Sequence, residues 1–287
     1  MHQDGTDVDG VDLNGKVAIV TGASRGVGAA TAVALAAAGV HVACAARATD
    51  ANPLPIPGTI DATVRDITDA GGDAIAVPTN LANDDEVTAM VTNTIDHYGR
   101  VDILVNNAAI TFVGDVNLPM KRHDLIFAVN TRAPLIATQA VLPGMQERGQ
   151  GAILNVSSLA ALNYFPGLMA YGMSKIALEH MTVSLAAALA PDRIAVNTFR
   201  IDVPVASEGF VYNSPGADLS DWEPCEVAAE GMVWMLRQPP EYTGHNVGMA
   251  ELRATYGIMN TMSERPHAGS DGINRVNPMP MPRFSAT

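Results

Sequence analysis

Cysteine is scarce in this chain, and so are aromatic rings and positive charge. Two cysteines in 287 residues, Cys44 in a predicted buried strand and Cys225 beside Pro224, exclude a disulfide framework and a thiolate metal site. His41 and His180 fall in predicted regular elements with no second metal-type side chain at ligand spacing, so no metal is expected. Lys and Arg number 17 against 30 Asp and Glu, a net charge of −13, which repels a phosphate backbone instead of neutralising it. Nucleic acid is therefore not an expected partner. Although 48% of the residues are hydrophobic, no apolar run reaches the roughly 18 to 20 residues of a membrane span. The first residues, with Asp4, Asp7, Asp9 and Asp12 among glycines, lack the basic and apolar regions of a secretory signal. A reducing, cytoplasmic setting with two free thiols is the expectation.

What the chain does have is a repeating strand-then-helix rhythm. Short β-branched or apolar runs at 16–21, 40–45, 74–77, 101–105, 152–156 and 194–199 read as strands. They are mostly continuous rather than alternating, as expected for parallel strands covered on both faces. Helical patterns separate them at 27–38, 84–97, 121–146 in two parts around Pro134, and 170–190. The expected fold is α/β, a single doubly wound Rossmann domain over 15–263 with a mainly parallel sheet and a substrate loop after the sixth strand. A flexible acidic segment, 1–14, would precede it. A Pro- and Met-rich tail, 264–287, would follow, mobile or packed on a neighbouring subunit. Prolines 53, 55 and 57 forbid a helix directly after the second strand and predict a surface loop near the ligand. The stretch 202–221, rich in Pro, Ser, Gly and aromatics, lies at the carboxyl edge of the sheet, where open α/β sheets bind ligands.

Thr21-Gly22-Ala23-Ser24-Arg25-Gly26-Val27-Gly28 joins the first strand to the first helix. Glycines there let the backbone approach a pyrophosphate whose charge meets the positive helix start. The second strand ends in Arg47 and lacks the acidic residue that grips a ribose 2′-hydroxyl. Arg25 and Arg47 together suit a 2′-phosphate, so NADP(H) is favoured, with NAD(H) possible.

Tyr171 and Lys175 are four residues apart in a predicted helix, hence on one face. A neighbouring ammonium favours the phenolate and lowers the tyrosine pKa, which suits proton exchange with a carbonyl–alcohol pair. Ser158, thirteen residues upstream, ends the fifth strand, and Asn106-Asn107-Ala108-Ala109 closes the fourth.

Taken in order, these motifs resemble the classical short-chain dehydrogenase/reductase family: T-G-x-x-x-G-x-G, N-N-A-G, an intervening asparagine, the serine and Y-x-x-x-K, over roughly residues 15–257. The resemblance implies that Tyr171 is the general acid/base, that Lys175 grips the nicotinamide ribose and lowers the tyrosine pKa, that Ser158 bonds the substrate oxygen, and that Asn130 supports a proton relay. It further implies dinucleotide contacts at Gly22, Ser24, Arg25, Gly26, Val27 and Gly28, at Asn80 and Leu81 beside the adenine, and at Asn107 below the ribose. The segments 46–60 and 121–125 look closer to the hydroxysteroid-dehydrogenase-like branch than to the acyl-carrier-protein reductases. Family resemblance suggests a homo-tetramer or homo-dimer assembled through the two long helices.

The pattern breaks after Asn197. A Pro-Gly turn followed by a threonine is replaced by Thr198-Phe199-Arg200-Ile201-Asp202-Val203-Pro204, so Arg200 or Asp202 becomes a candidate for the site. Phe210, Tyr212 and Trp222 are candidates to close over an apolar substrate, and Tyr164 to wall it. The expected function is an NAD(P)-dependent oxidoreductase that interconverts a small or medium apolar carbonyl and its secondary alcohol. The alternative is an NADP(H)-binding sensor or scaffold whose altered 200–202 segment has abolished productive geometry.

Overall fold

A computed structural model of the chain describes residues 10–259 apart from 213, 215 and 217. Seven strands, β1 (Val17–Thr21), β2 (His41–Ala46), β3 (Ala74–Pro78), β4 (Ile103–Asn106), β5 (Gly151–Ser158), β6 (Ile194–Ile201) and β7 (Asn246–Gly248), form one sheet in the order β3-β2-β1-β4-β5-β6-β7. Every pairing is parallel. Such a sheet needs both faces covered, and the continuous apolar strands meet that demand. Leu35 of α1 (Gly26–Ala37), Ile60 and Ile67 of α2 (Ile60–Asp69), and Met232 of α8 (Cys225–Leu236) pack one face. Met90 of α3 (Asp84–Tyr98), Val141 of α5 (Ala133–Arg148) and Leu189 of α6 (Met169–Leu189) pack the other. The doubly wound Rossmann architecture expected from the strand rhythm is the one observed.

Each of the six expected strands is present, and three differences have physical causes. The helical run at 121–146 is interrupted before Pro134, not around it. After α4 (Met120–Phe127), residues Ala128–Arg132 wind as a π-helix, and Pro134 then sits in the first turn of α5, where its missing N–H needs no partner. The strand β6 runs two residues past its expected end, to Ile201. β7 has only three residues, too few to show a period. Between β6 and α8 lies α7 (Glu208–Tyr212), and α9 (Met249–Tyr256) follows β7.

The run 120–148 has the length and apolar character to cross a bilayer by composition, which the count of apolar runs did not anticipate; α5 packs against α3 and the sheet. Residues 10–14, grouped above with the acidic segment, lie against the domain: Val11 N donates to Arg237 O at 2.7 Å and Leu13 is buried. Residues 1–9 and the tail 264–287 lie outside the described residues.

The sheet is anchored at its amino edge by one buried carboxylate. Asp102 accepts the Val17 N–H at 3.0 Å and the Arg100 Nε at 3.0 Å, tying β1 to the start of β4. Asp102→Ala leaves these donors without their ionic acceptor and is expected to destabilise the fold by about 2 to 3 kcal/mol. A urea unfolding midpoint equal to the wild type's would refute that role.

Candidate active site

The strand order reverses between β1 and β4, and the crevice outside the carboxyl ends of those strands is the natural ligand seat. Gly22 turns the chain out of β1 at φ +71°, and a Cβ there would lie 2.9 Å from the Ala108 backbone. A Cβ on Gly28 would come within 2.3 Å of the Gly22 carbonyl oxygen. No side chain fits either place. Asn107 sews the two strand ends together, its N–H donating to Thr21 Oγ1 at 3.0 Å and its Nδ2 to Thr21 O at 2.9 Å. Ser24 and Val27 are buried in the same turn. The first turn of α1 has neither a side-chain cap at Arg25 nor an acidic residue, so its N–H groups remain available to an anion. The close backbone approach at Gly22 and Gly28 and the uncapped helix start fit the diphosphate of a dinucleotide.

The two arginines do not act alike. Arg25 Nε donates to Pro57 O at 2.7 Å and Nη2 to Gly58 O at 2.9 Å, so its guanidinium is held by the proline-rich loop. Burial pulls its pKa down, the Glu208 carboxylate opposes this, and the nearby Arg47 adds to it. Arg47 itself is exposed just beyond β2. Carbonyls of the loop thus hold two of the Arg25 nitrogens, while Arg47 has its guanidinium at the surface. Beyond β3, Asn80 accepts the Ala82 N–H at 3.2 Å and gives its own N–H to Glu86 at 2.7 Å, while Leu81 packs on the core beside α5. Both residues are half-buried.

Across the crevice, α6 and the end of β5 bring the proton-handling residues together. Tyr171 is half-buried, with the Ser158 hydroxyl near enough to its phenol to act on its pKa. Lys175 is 2% exposed, and its Nζ donates to Val156 O at 2.6 Å while standing 5.7 Å from the Tyr171 ring centre. Asn130 is fully buried on the π segment, where its side chain pairs with both Ile110 backbone groups and Nδ2 donates to Ser174 Oγ at 3.0 Å. A π turn widens the helix and is a recurrent feature of functional sites. All four candidate catalytic residues are therefore at one carboxyl edge.

One expectation is overturned here. Burial pushes the Tyr171 phenol up, and the Ser158 hydrogen bond offsets this only in part; the lysine does not depress it as the i,i+4 spacing suggested. Its ammonium is turned to a carbonyl, and desolvation of the phenolate dominates. For Lys175 burial pulls the pKa down to about 8, with the Glu179 carboxylate opposing.

The family profile for short chain dehydrogenase matches residues 16–203. The chain belongs to the short-chain dehydrogenase/reductase family. It is an NAD(P)-dependent oxidoreductase. A 3-oxoacyl-(acyl-carrier-protein) reductase of Synechocystis is 38% identical over 64% of this chain and 72% of its own. Hydroxysteroid dehydrogenase-like protein 2 of Xenopus tropicalis is 30% identical over 86% of this chain but only 59% of its own length. A metagenomic short-chain oxidoreductase solved with NADP has a TM-score of 0.69 at 29% identity, covering 83% of this chain and 98% of that one.

The departure from the family pattern after Asn197 also has a structural answer. Arg200 and Ile201 stay in β6, in register with Ser157 and Ser158. A proline in a ladder lacks the N–H that this pairing uses. Asp202 then accepts the Ala250 N–H at 3.2 Å and caps the start of α9. Arg200 is buried against Glu179. Neither residue is placed as a dinucleotide contact. Of the aromatic candidates, Phe210 stacks on Trp222 with ring centres 4.7 Å apart, whereas Tyr164 and Tyr212 are exposed. Among the described residues no group of His, Cys, Asp or Glu side chains could hold a metal.

Sequence reasoning missed Ser207 and Glu208. A Cβ on Gly26 would meet Ser207 Cβ at 3.0 Å and Glu208 Oε2 at 3.3 Å, so the segment after Pro204 folds back onto the glycine turn. The available signal was Ser207 itself, a hydroxyl residue shortly after the replaced turn, where the family carries a threonine. Glu208 presents a carboxylate to the helix start that suits an anion. Glu208→Gln is expected to lower the Kd for NADPH about fivefold, as read by nucleotide fluorescence titration. An unchanged Kd would place the carboxylate outside the field of the phosphates.

Proposed function

We propose that the protein reduces an apolar carbonyl compound to its secondary alcohol, with NADPH preferred over NADH. The observation that carries this reading is the buried Lys175, whose Nζ stands 5.7 Å from the centre of the Tyr171 ring, with the Ser158 hydroxyl near enough to that phenol to act on its pKa. A phenol whose pKa is raised by burial stays protonated at neutral pH, which fits it to donate a proton to a carbonyl oxygen. When bound in the cradle, a reduced nicotinamide dinucleotide supplies the hydride. Ser158 hydrogen-bonds the carbonyl oxygen and orients it, Tyr171 gives up its proton as negative charge develops there, and the Lys175 ammonium would hold the nicotinamide ribose so that the hydride faces the carbonyl. Asn130 ties the π segment to the Ile110 backbone and to Ser174, one residue from Lys175, where it would support a proton relay.

The preference for NADPH rests on exposed Arg47 and on the absence of an acid at the end of β2. An apolar substrate is supported by the mouth of the crevice, where Val113, Val116, Leu162, Tyr164 and Phe210 expose hydrophobic surface on the segments that follow β4, β5 and β6. A homo-oligomer is supported by Met169, Met173, Ile176 and Val183, which leave apolar surface exposed along α6. The sensor alternative loses its main support, because Arg200 and Ile201 continue the ladder beside Ser157 and Ser158 instead of displacing them.

NADPH oxidation with a panel of apolar ketones tests the reading. Tyr171→Phe is expected to lose at least ~100-fold in kcat/KM, the lower range for a general acid, with the Kd for NADPH little changed. Turnover retained in that variant would sink the assignment. Because the folded Lys175 titrates near pH 8, kcat/KM should decline as the pH rises through that value and the ammonium is lost. A decline beginning only near the ordinary lysine value would contradict it.

A further inference from the structure

Beside the proposed catalytic pair lies a second buried charge pair for which that scheme has no task. Glu179 follows Lys175 by one turn of α6 and is 3% exposed. Its Oε1 accepts the Ser157 hydroxyl at 2.7 Å and Arg200 Nε at 2.9 Å, and its Oε2 accepts Arg200 Nη2 at 2.7 Å. One carboxylate thereby joins three elements at the level of the site. α6 carries Tyr171 and Lys175, β5 carries Ser158 and the Val156 carbonyl that receives Lys175, and β6 carries Arg200 in register with Ser157. Replacing a buried ion pair by packed apolar side chains is often neutral or stabilising, so stability alone does not explain this one.

We propose that Glu179 and Arg200 are a positioning pair that sets the charge state of Lys175: the carboxylate holds the ammonium in its charged form, and the guanidinium limits how much of that negative field reaches it. The inference rests on the assignment of Lys175 given above. The titratable groups beside Lys175 are Tyr171 and Glu179 on its own helix, and Arg200 of β6 reaches it only through the Glu179 carboxylate to which it is bonded. β5 supplies the uncharged Val156 carbonyl on Lys175 Nζ and the Ser157 hydroxyl on Glu179; the charged residues of the π segment and of 190–192, which also pack on α6, are Arg132, paired with Asp84, and Asp192, which accepts from Gln146. α4, which also packs on α6, carries Lys121, Arg122, His123 and Asp124, exposed or half-buried, and Glu179 is the charged group that shifts Lys175. Burial opposes the charge on Arg200, and the Glu179 carboxylate, with Asp202 and Glu251 adding to it, outweighs that and raises its pKa.

The two members of the pair act on Lys175 with opposite sign, and a merely structural pair does not. Lys175 is titrated by NMR in protein labelled at the lysine side-chain carbons, with Lys175→Met identifying the resonance. Glu179→Gln is expected to move the midpoint down by about one pH unit, and Arg200→Met to move it up. The double variant, which leaves neither charge buried alone, should titrate between the wild type and Glu179→Gln. Coincident midpoints, or shifts of the same sign in both single variants, overturn the proposal. Where a single variant does not fold, the double variant decides: a midpoint below the wild type's supports the pair and an unchanged one overturns it. The readout needs no turnover, so its failure is distinct from retained activity in Tyr171→Phe, which instead removes the catalytic assignment.

Discussion

An ammonium group buried to 2% exposure is the constraint around which the carboxyl edge of this protein is organised. Lowering the Lys175 pKa from 10.5 to about 8 corresponds to about 3 kcal/mol of stability forgone at neutral pH. The sign follows from linkage. Below pH 8 both folded and unfolded chains carry the proton and the penalty is complete; between about 8 and 10.5 only the unfolded chain carries it, and the penalty fades as the pH rises. The Val156 carbonyl and the Glu179 carboxylate reduce this penalty without removing it. Sites that hold a charge against burial in this way are characteristic of chemistry, not of packing.

The same arrangement explains how the chain tolerates losing the Pro-Gly turn of its family. A turn at that point is a means of directing the backbone away from the sheet. Here the backbone stays in the ladder through Ile201, Arg200 enters the interior because Glu179 is there to receive it, and Asp202 makes its exit by capping α9. The chain that follows returns over the glycine turn through Ser207 and Glu208. Two charged residues that look like surface groups in the sequence are thereby built into the frame that holds Ser157 and Ser158 in place.

Much of this was legible beforehand. Continuous apolar strands, the glycine turn and the Tyr171–Lys175 spacing are local patterns, and each specifies local geometry that the fold preserves. Ser158 and Asn130 required the family pattern, since nothing about a serine after a strand or an asparagine within a helix announces its partners. What stayed hidden was set by contacts between distant segments. The loop contacts of Arg25 were invisible because the carbonyls of Pro57 and Gly58 are 32 and 33 residues away. The direction of the Tyr171 shift was misjudged because i,i+4 spacing fixes proximity, whereas burial, which outweighs it here, is a property of the whole site. The π segment replaced a break expected at Pro134, because proline is tolerated in a first turn and the helix widens instead where Asn130 meets Ser174.

The central claim is that the Lys175 charge is maintained for chemistry at the expense of stability, and the urea unfolding midpoint of Lys175→Met at neutral pH tests it most directly. Methionine fills the same channel without a charge, and Glu179 remains paired with Arg200 and Ser157, so no buried ion is orphaned. The account predicts a midpoint at or above that of the wild type. A variant destabilised by several kcal/mol, as for an ordinary buried side chain whose interactions are lost, would contradict it.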